Sequence, residues 1–210
     1  MEHLEPVKEF FQQISDHPIF RKTPEDEEAI VDQSITLCRD YINFKLAQGG
    51  LIHKRGTGPE LDNFSEVSAH IIVTGFQLEQ FHPSVYKDVC RKLHLNLSSD
   101  AVISDAVHEV ANELFRGGIN WPRIISLFVF TGALASECVA SYHPDYVHTV
   151  TTSFRDVVER RLATWVLQRG GWVDVVTTVD GFRYNHSLRV QSIISAAVGF
   201  LVALLLTGTT

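Results

Sequence analysis

One stretch of 17 residues, numbered 124–140, reads IISLFVFTGALASECVA and is apolar almost all round a helix. A helix without a polar face is stable in the centre of a bundle, where other helices cover it on every side. Its length is also close to that needed to span a bilayer. Asn120 is a predicted N-cap, and Pro122 lies in the first turn, where its missing N–H costs little. The stretch therefore predicts an all-α fold built around this helix.

Amphipathic segments with helical spacing lie on both sides of the central stretch. The first begins with Thr23 as N-cap and Pro24 at the first helical position, and Gly49-Gly50 ends it. The other predicted helices cover about residues 60–81, 85–93, 100–115 and 147–165, with capping residues at 98–100 and a break at Gly117-Gly118. The last of them carries an apolar stripe that includes Leu162 and Trp165.

A second apolar stretch, residues 190–206, lies close to the C-terminus. It predicts a membrane anchor inserted after synthesis, which leaves the bundle facing the cytosol. Arg183 and Arg189 precede it and no basic residue follows it, so the mitochondrial outer membrane and the endoplasmic reticulum both stay open. The N-terminus lacks a basic region followed by an apolar run, so no secretory signal is predicted. The predicted division is an extension (1–22), a helical bundle (23–182) and a membrane anchor (183–210).

The composition argues against several functional classes. A net charge of −7 disfavours nucleic acid as a partner, because phosphate binding needs a basic surface. Cys38, Cys90 and Cys138 match no disulfide or metal spacing and predict reduced thiols. His143 and His148 lack the context of a metal site. Because no catalytic triad, paired carboxylates or phosphate-binding loop is recognisable, we expect no enzymatic activity, no metal and no cofactor.

Two motifs on either side of the central helix carry a family resemblance. Residues 110–124 read VANELFRGGINWPRI and resemble the first Bcl homology motif. Residues 164–174 read TWVLQRGGWVD and resemble the second homology motif, which is built on GGW. Residues 28–51 resemble the fourth motif, in the first helix. Since the motifs occur in order and with family spacing, the chain resembles the Bcl (B-cell lymphoma two) family of regulators of programmed cell death.

Four shorter segments resemble the Bok branch of this family: residues 39–41, 82–86, 91–95 and 162–165. The resemblance implies a Bcl-type helical bundle with a central apolar hairpin (120–165), a surface groove and a C-terminal transmembrane helix. It implies other Bcl family proteins as partners, in homo- or heterodimers, through an amphipathic helix that lies in the groove. It also implies contact of residues 190–206 with membrane lipid, and the tail of a family member can instead fold back into the groove.

The implied groove is centred on Arg123. A guanidinium at this position can hold an aspartate of the partner helix through charge-assisted hydrogen bonds. From their residue types alone, Leu114, Trp121 and Phe130 fit core packing better than a groove lining, and Arg123 fits a solvated surface arginine equally well. Trp172 is expected to pack the bundle. The implied groove residues are Leu78, Tyr86, Val110, Glu113, Leu114, Asn120, Trp121, Arg123 and Phe130, and those of the second homology motif are Trp165, Gly170, Gly171 and Trp172.

The third homology motif, the helix that one family member presents to another, departs from the family pattern. It normally contains Leu-x-x-x-Gly-Asp, and here Phe76 stands where the aspartate is expected. Loss of one partner of a desolvated charge pair typically costs about 2–5 kcal/mol. The segment is therefore predicted to be a weak ligand for another groove. The apolar positions of this helix are Val67, Ile71, Thr74 and Leu78, and Gly75 allows a close helix approach.

The direction of activity has two readings. Similarity along the whole chain favours a Bok-like, pro-apoptotic protein whose apolar hairpin permeabilises a membrane. Asn120 and Arg123 beside Trp121 resemble pro-survival members, which sequester the death-motif helices of partners. Lineage favours the first reading, and the second stays open as the alternative. A tail-anchored scaffold with an occluded groove is a third.

Overall fold

The computed structural model describes residues 23–52, 64–81, 83–87, 91, 93, 95 and 97–178. Within these ranges the chain is helical without strands, which confirms the all-α fold; the predicted groove and C-terminal transmembrane helix stay predictions. The predicted extension (1–22), the apolar stretch 190–206 and the anchor boundary near residue 183 lie outside the described residues. The helices are α1 (Pro24–Gln48), α2 (Glu66–Phe81), α3 (Pro83–Tyr86), α4 (Asp100–Phe115), α5 (Trp121–Ala140), α6 (Tyr146–Val157) and α7 (Ala163–Gln168), followed by a helical turn at 174–178.

Helix α1 begins and ends where the sequence predicts. The backbone N–H of Asp26 donates to the Thr23 hydroxyl at 3.3 Å, and the backbone N–H of Thr23 donates to the Asp26 carboxylate at 2.7 Å. This reciprocal capping box satisfies two N–H groups that a helix start leaves free. At the other end the chain turns at Gly50, whose φ of 67° favours glycine.

The starts of the later helices are also set by polar caps. Ser99 accepts a hydrogen bond from the N–H of Val102 at 3.4 Å, and Asn120 accepts one from the N–H of Arg123 at 3.0 Å. Helix α2 begins at Glu66, later than the predicted start near residue 60. Because the hydroxyl of Ser65 accepts the N–H of Ser68 at 3.1 Å, it caps the helix at this later position.

Helix α5 lies in the centre of the bundle, as predicted. It packs against α1, α2, α4 and α6. Leu127, Phe128, Val129 and Leu134 have no exposed surface, and Ser126 and Thr131 are buried with their hydroxyls bonded to the backbone carbonyls of the preceding turn. Among the described residues, α5 is the helix that is long and apolar enough to cross a bilayer, yet most of it is covered by protein.

Helix α6 continues into α7 through a π-helical turn at Val158–Leu162, in which Ala163 N–H donates to the carbonyl of Val158. A π-helical turn contains one more residue than an α-helical turn, so after it the buried positions are shifted by one residue from the pattern of α6. The predicted stripe therefore holds as far as Leu162, but Val166 is then fully buried and Trp165 is only half-buried. The charged residues 159–161 stay exposed.

Candidate partner-binding site

The apolar residues of the implied groove come together in one core cluster. Leu78 of α2, Tyr86 of α3, Val110 and Leu114 of α4, and Phe130 of α5 are each at most 6% exposed. They lie where four helices meet, and their side chains are covered rather than open to solvent. A partner helix can reach them only if the covering segments move, so the groove itself stays a prediction.

Arg123 lies at the edge of this cluster and is half-buried. Its Nη1 donates to the carbonyl oxygen of Gly118 at 2.5 Å, and its guanidinium lies over Gly117, where a Cβ would come within 2.8 Å of Nη2. No carboxylate in the described part of the chain pairs with it. The guanidinium is therefore held in place by the loop after α4 and keeps N–H donors for an incoming carboxylate.

Two other implied groove residues have internal partners. The side-chain oxygen of Asn120 accepts the N–H of Arg123, so this asparagine caps α5. Glu113 pairs with Arg116 on the surface of α4. Because Asn120 caps the helix that carries Arg123, it helps to fix the backbone from which the arginine side chain extends.

The three tryptophans of the first and second motifs form one aromatic cluster. Trp121 lies 5.2 Å from Trp165 and 5.8 Å from Trp172 between ring centroids. Trp172 is fully buried, and its indole N–H donates to the carbonyl oxygen of Ile30 in α1 at 2.9 Å. The expectation that Trp172 packs the bundle is confirmed. Gly170 and Gly171, with φ of 96° and 93°, make the turn that brings it back to α1.

Asp174 joins the two motifs through one carboxylate oxygen. This Oδ2 accepts the indole N–H of Trp121 at 2.7 Å and Nε of Arg169 at 2.9 Å. Partial burial acts to raise the pKa of Asp174, but the hydrogen bonds from Trp121 and Arg169 outweigh it and hold the pKa below its usual value. The sequence alone assigned this residue no role, although it lies two positions after the GGW element, at the end of the second motif.

Helix α2, the predicted death-motif helix, turns its apolar positions towards its own bundle. Ile71 and Leu78 are buried, and Val67 and Thr74 are half-buried. Gly75 packs directly on α1, since a Cβ at this position would lie 2.6 Å from the hydroxyl oxygen of Tyr41. Tyr41 is equally close to α5, where a Cβ on Gly132 would lie 2.7 Å from its ring. The ring of Tyr41 thus fits between two glycines on different helices.

Phe76, which replaces the expected aspartate, contacts the first helix. Its ring meets that of Phe44 edge to face, with centroids 6.4 Å apart. One end of α2 is also attached to α1, because the Ser68 hydroxyl donates to the Asp40 carboxylate at 2.5 Å. The residue that departs from the family pattern therefore stabilises the packing of α2 on α1.

A partly buried ion pair links the other end of α2 to α1. Lys45 Nζ lies 2.6 Å from Glu79 Oε2, and the two side chains are 16% and 11% exposed. Burial raises the pKa of Glu79 despite the hydrogen bond from Lys45 and its charge. The second carboxylate oxygen of Glu79 and the Tyr41 hydroxyl are buried without a hydrogen-bond partner among the described residues. No sequence pattern indicated this pair.

Known proteins match the chain along most of its length. A family model described as "Apoptosis regulator proteins, Bcl-2 family" matches residues 72–172. The human Bcl-2-related ovarian killer protein is 36% identical over 202 residues, which cover 95% of this chain and 93% of the relative. The crystal structure of chicken BOK superposes with a TM-score of 0.66 at 34% identity and covers 75% of this chain and 99% of that chain.

A further solved structure contains a bound BH3 segment. The crystal structure of Trichoplax adhaerens trBcl-2L2 bound to trBak BH3 has a TM-score of 0.59 and 26% identity, over 71% of this chain and 96% of that chain. These two solved structures share the helical fold of this chain.

Proposed function

This chain belongs to the Bcl-2 family of apoptosis regulators, close to BOK, and we propose that within it the chain is a pro-apoptotic effector whose α5–α6 hairpin permeabilises a membrane. The observation that carries the proposal is α5, a 20-residue helix with the length and apolarity of a membrane span at the centre of the fold. Its neighbour α6 is amphipathic and is joined to it by a short loop. Once released from the bundle, such a hairpin can bury its apolar surface in the lipid bilayer.

A second function, capture of partner helices, is favoured by Arg123. Its guanidinium is fixed by Gly118, is partly exposed and has no carboxylate partner among the described residues. A relative of similar fold has been solved with a BH3 segment bound. We propose that an amphipathic helix of another family member enters between α2, α4 and α5, places apolar side chains on the core cluster, and pairs an aspartate with Arg123.

Dye release from liposomes of outer-mitochondrial composition separates the two functions. The full-length chain should release dye under the effector proposal. If it binds partner helices tightly and releases no dye, the capture function replaces the effector function. In a parallel binding measurement, Arg123→Ala should weaken the affinity for a partner helix about tenfold or more. Arg123→Lys, which keeps the charge and loses the bidentate geometry, is the matched control.

Membrane attachment through residues 190–206 is part of the same proposal. Their apolar run is within the range of a spanning helix, and it would leave the bundle facing the cytosol. We propose the mitochondrial outer membrane or the endoplasmic reticulum as the site of attachment. Imaging of a fluorescent fusion of residues 183–210 in cells distinguishes these membranes, and a diffuse cytosolic signal would contradict the anchor.

A further inference from the structure

The loop between α5 and α6 contains a strained, solvent-exposed tyrosine. Helix α5 ends in a turn in which the N–H of His143 donates to the carbonyl of Cys138 at 2.9 Å and the N–H of Tyr142 donates to that of Val139 at 3.1 Å. Tyr142 has a φ of 64°, the left-handed conformation that glycine usually supplies at this point. A tyrosine here costs folding free energy that a glycine would not.

No packing contact offsets this strain. The Tyr142 side chain is 92% exposed, and no described residue bonds to its hydroxyl. The neighbouring residues 141–145 are all exposed as well. Beside Tyr142, the ring of His143 stacks on that of Tyr146, with centroids 5.2 Å apart and planes 22° from parallel. The loop thus presents one free aromatic ring next to a stacked pair, of which Tyr146 also packs against the hydrophobic core while the Tyr142 ring does not.

The charge distribution indicates which partner this loop suits. Between Arg123 and Arg155 the sequence contains no lysine or arginine, and its carboxylates are Glu137 and Asp145. This segment itself therefore offers no cation to anionic headgroups; Lys45 and Lys87, from other parts of the fold, line a cavity with Glu137 about one turn before the loop. Tyrosine and histidine rings have an apolar body and a polar tip, which suits the boundary between headgroups and acyl chains. The loop also ends the helix that has the length and apolarity of a membrane span.

We propose that Tyr142, beside the stacked His143–Tyr146 pair, is the point at which the hairpin inserts into the interface of a lipid bilayer. The inference rests on the membrane-active hairpin proposed above and identifies where that hairpin meets lipid. Contact with lipid would offset the backbone strain at Tyr142, whose side chain has no packing contact in the bundle. The contact requires no negatively charged lipid.

Two substitutions separate stability from membrane contact. Tyr142→Gly relieves the backbone strain and should raise the unfolding midpoint by about 2–4 °C, and a more stable bundle would by itself release its hairpin less readily. Tyr142→Ala removes the ring but keeps a side chain on the left-handed backbone, so it should leave the midpoint nearly unchanged and lower dye release from phosphatidylcholine vesicles about tenfold, since burying one aromatic ring contributes roughly that factor to an apparent affinity. Tyr142→Phe keeps the ring and should retain the release. If Tyr142→Ala releases dye as fast as the unchanged chain, the proposal is wrong.

Photocrosslinking tests the contact independently of pore formation. The full-length chain with benzoylphenylalanine at position 142 should crosslink to phosphatidylcholine, and with cardiolipin added the yield should stay similar. The same group at Val173, which is 56% exposed near the other end of α5, should label lipid much less. Lipid labelling at 142 without dye release supports the contact and contradicts the effector function. Equal labelling at both positions, labelling of protein alone, or no labelling at 142 overturns the proposal.

Discussion

The indole N–H of Trp172 donates a hydrogen bond of 2.9 Å to the backbone carbonyl oxygen of Ile30, which lies 142 residues earlier in the chain. Trp172 belongs to the second homology motif and Ile30 to the first turns of α1, so a single contact closes the bundle between its two ends. The ring of Trp172 also lies 5.9 Å from Phe128 of the central helix. The second motif therefore stabilises the fold around α5, and the following substitutions test its role and that of α2.

Replacing Trp172 should weaken the closed bundle more than replacing a neighbouring tryptophan. Trp172→Phe removes the hydrogen bond to Ile30 and leaves a space between α1 and α5, at an expected cost of about 2–4 kcal/mol in the free energy of unfolding. Trp165→Phe, at a half-buried position of the same cluster, should cost less. Chemical denaturation of both variants measures the difference, and equal losses would contradict this role of Trp172.

Asp174 should contribute stability that depends on pH. Asp174→Ala leaves the buried indole N–H of Trp121 without an acceptor and should lower the free energy of unfolding by about 1–3 kcal/mol at neutral pH. Because the folded pKa of Asp174 lies below its usual value of 3.8, this contribution is present above that pH and is lost as the pH falls through the folded pKa.

The control for Asp174 is Asp174→Asn, which keeps an acceptor for Trp121 but cannot titrate. It should lose less stability than Asp174→Ala at neutral pH. Its difference from the unchanged chain should narrow below about pH 4. Unfolding curves at several pH values check both points, and a difference that stays constant with pH would show that Asp174 does not act through its charge.

Removing Lys45 should leave the Glu79 carboxylate without compensation at the junction of α1 and α2. We expect Lys45→Met to lower the free energy of unfolding by about 1–3 kcal/mol, less than for a fully enclosed pair because both side chains keep some contact with solvent. Burial already raises the pKa of Glu79 above 4.5, so protonation favours the folded state.

The loss caused by Lys45→Met should therefore be greatest above the folded pKa of Glu79 and should decrease as the pH falls towards 4.5. Lys45→Arg preserves the charge and should retain most of the stability at every pH. Thermal unfolding from neutral to mildly acidic pH measures how the stability of the Lys45→Met and Lys45→Arg variants depends on pH. A loss that grows on acidification would have the opposite sign and would exclude Glu79 as its origin.

Restoring the missing acid should turn α2 into a ligand. A peptide of residues 60–85 with Phe76→Asp should bind the groove of a relative that accepts BH3 helices about tenfold or more tightly than the unchanged peptide. Phe76→Ala removes the bulk of the ring without supplying a carboxylate and serves as control. Fluorescence anisotropy gives the affinities, and submicromolar binding of the unchanged peptide would contradict the prediction.

The features that could be predicted from the sequence are those set by neighbours in the chain. Thr23, Ser99 and Asn120 cap helices because their side chains reach N–H groups three residues away, and this geometry is local. The central position of α5 follows from its lack of a polar face. The core position of Trp172 was likewise expected.

The remaining features depend on how helices align after they pack. Phe76 meets Phe44, and Lys45 meets Glu79, only in the particular register of α2 on α1. The π-helical turn at Val158–Leu162 changes which side chains of α7 face the core relative to those of α6. The sequence of these helices alone does not show where this change occurs. The burial of the implied groove residues likewise arises from neighbouring helices, so residue type alone could not distinguish a groove lining from a core.

The ring of Tyr41, held between Gly75 on α2 and Gly132 on α5, makes three distant positions dependent on one another. An alanine at either glycine would meet the ring at less than normal contact distance, and a smaller residue at position 41 would leave a void between two glycines. Divergent descendants of this chain should therefore change the three positions together or keep all three. Such joint inheritance would keep α2 packed between α1 and α5, and the contact of Phe76 with Phe44 adds a fourth position to the same packing.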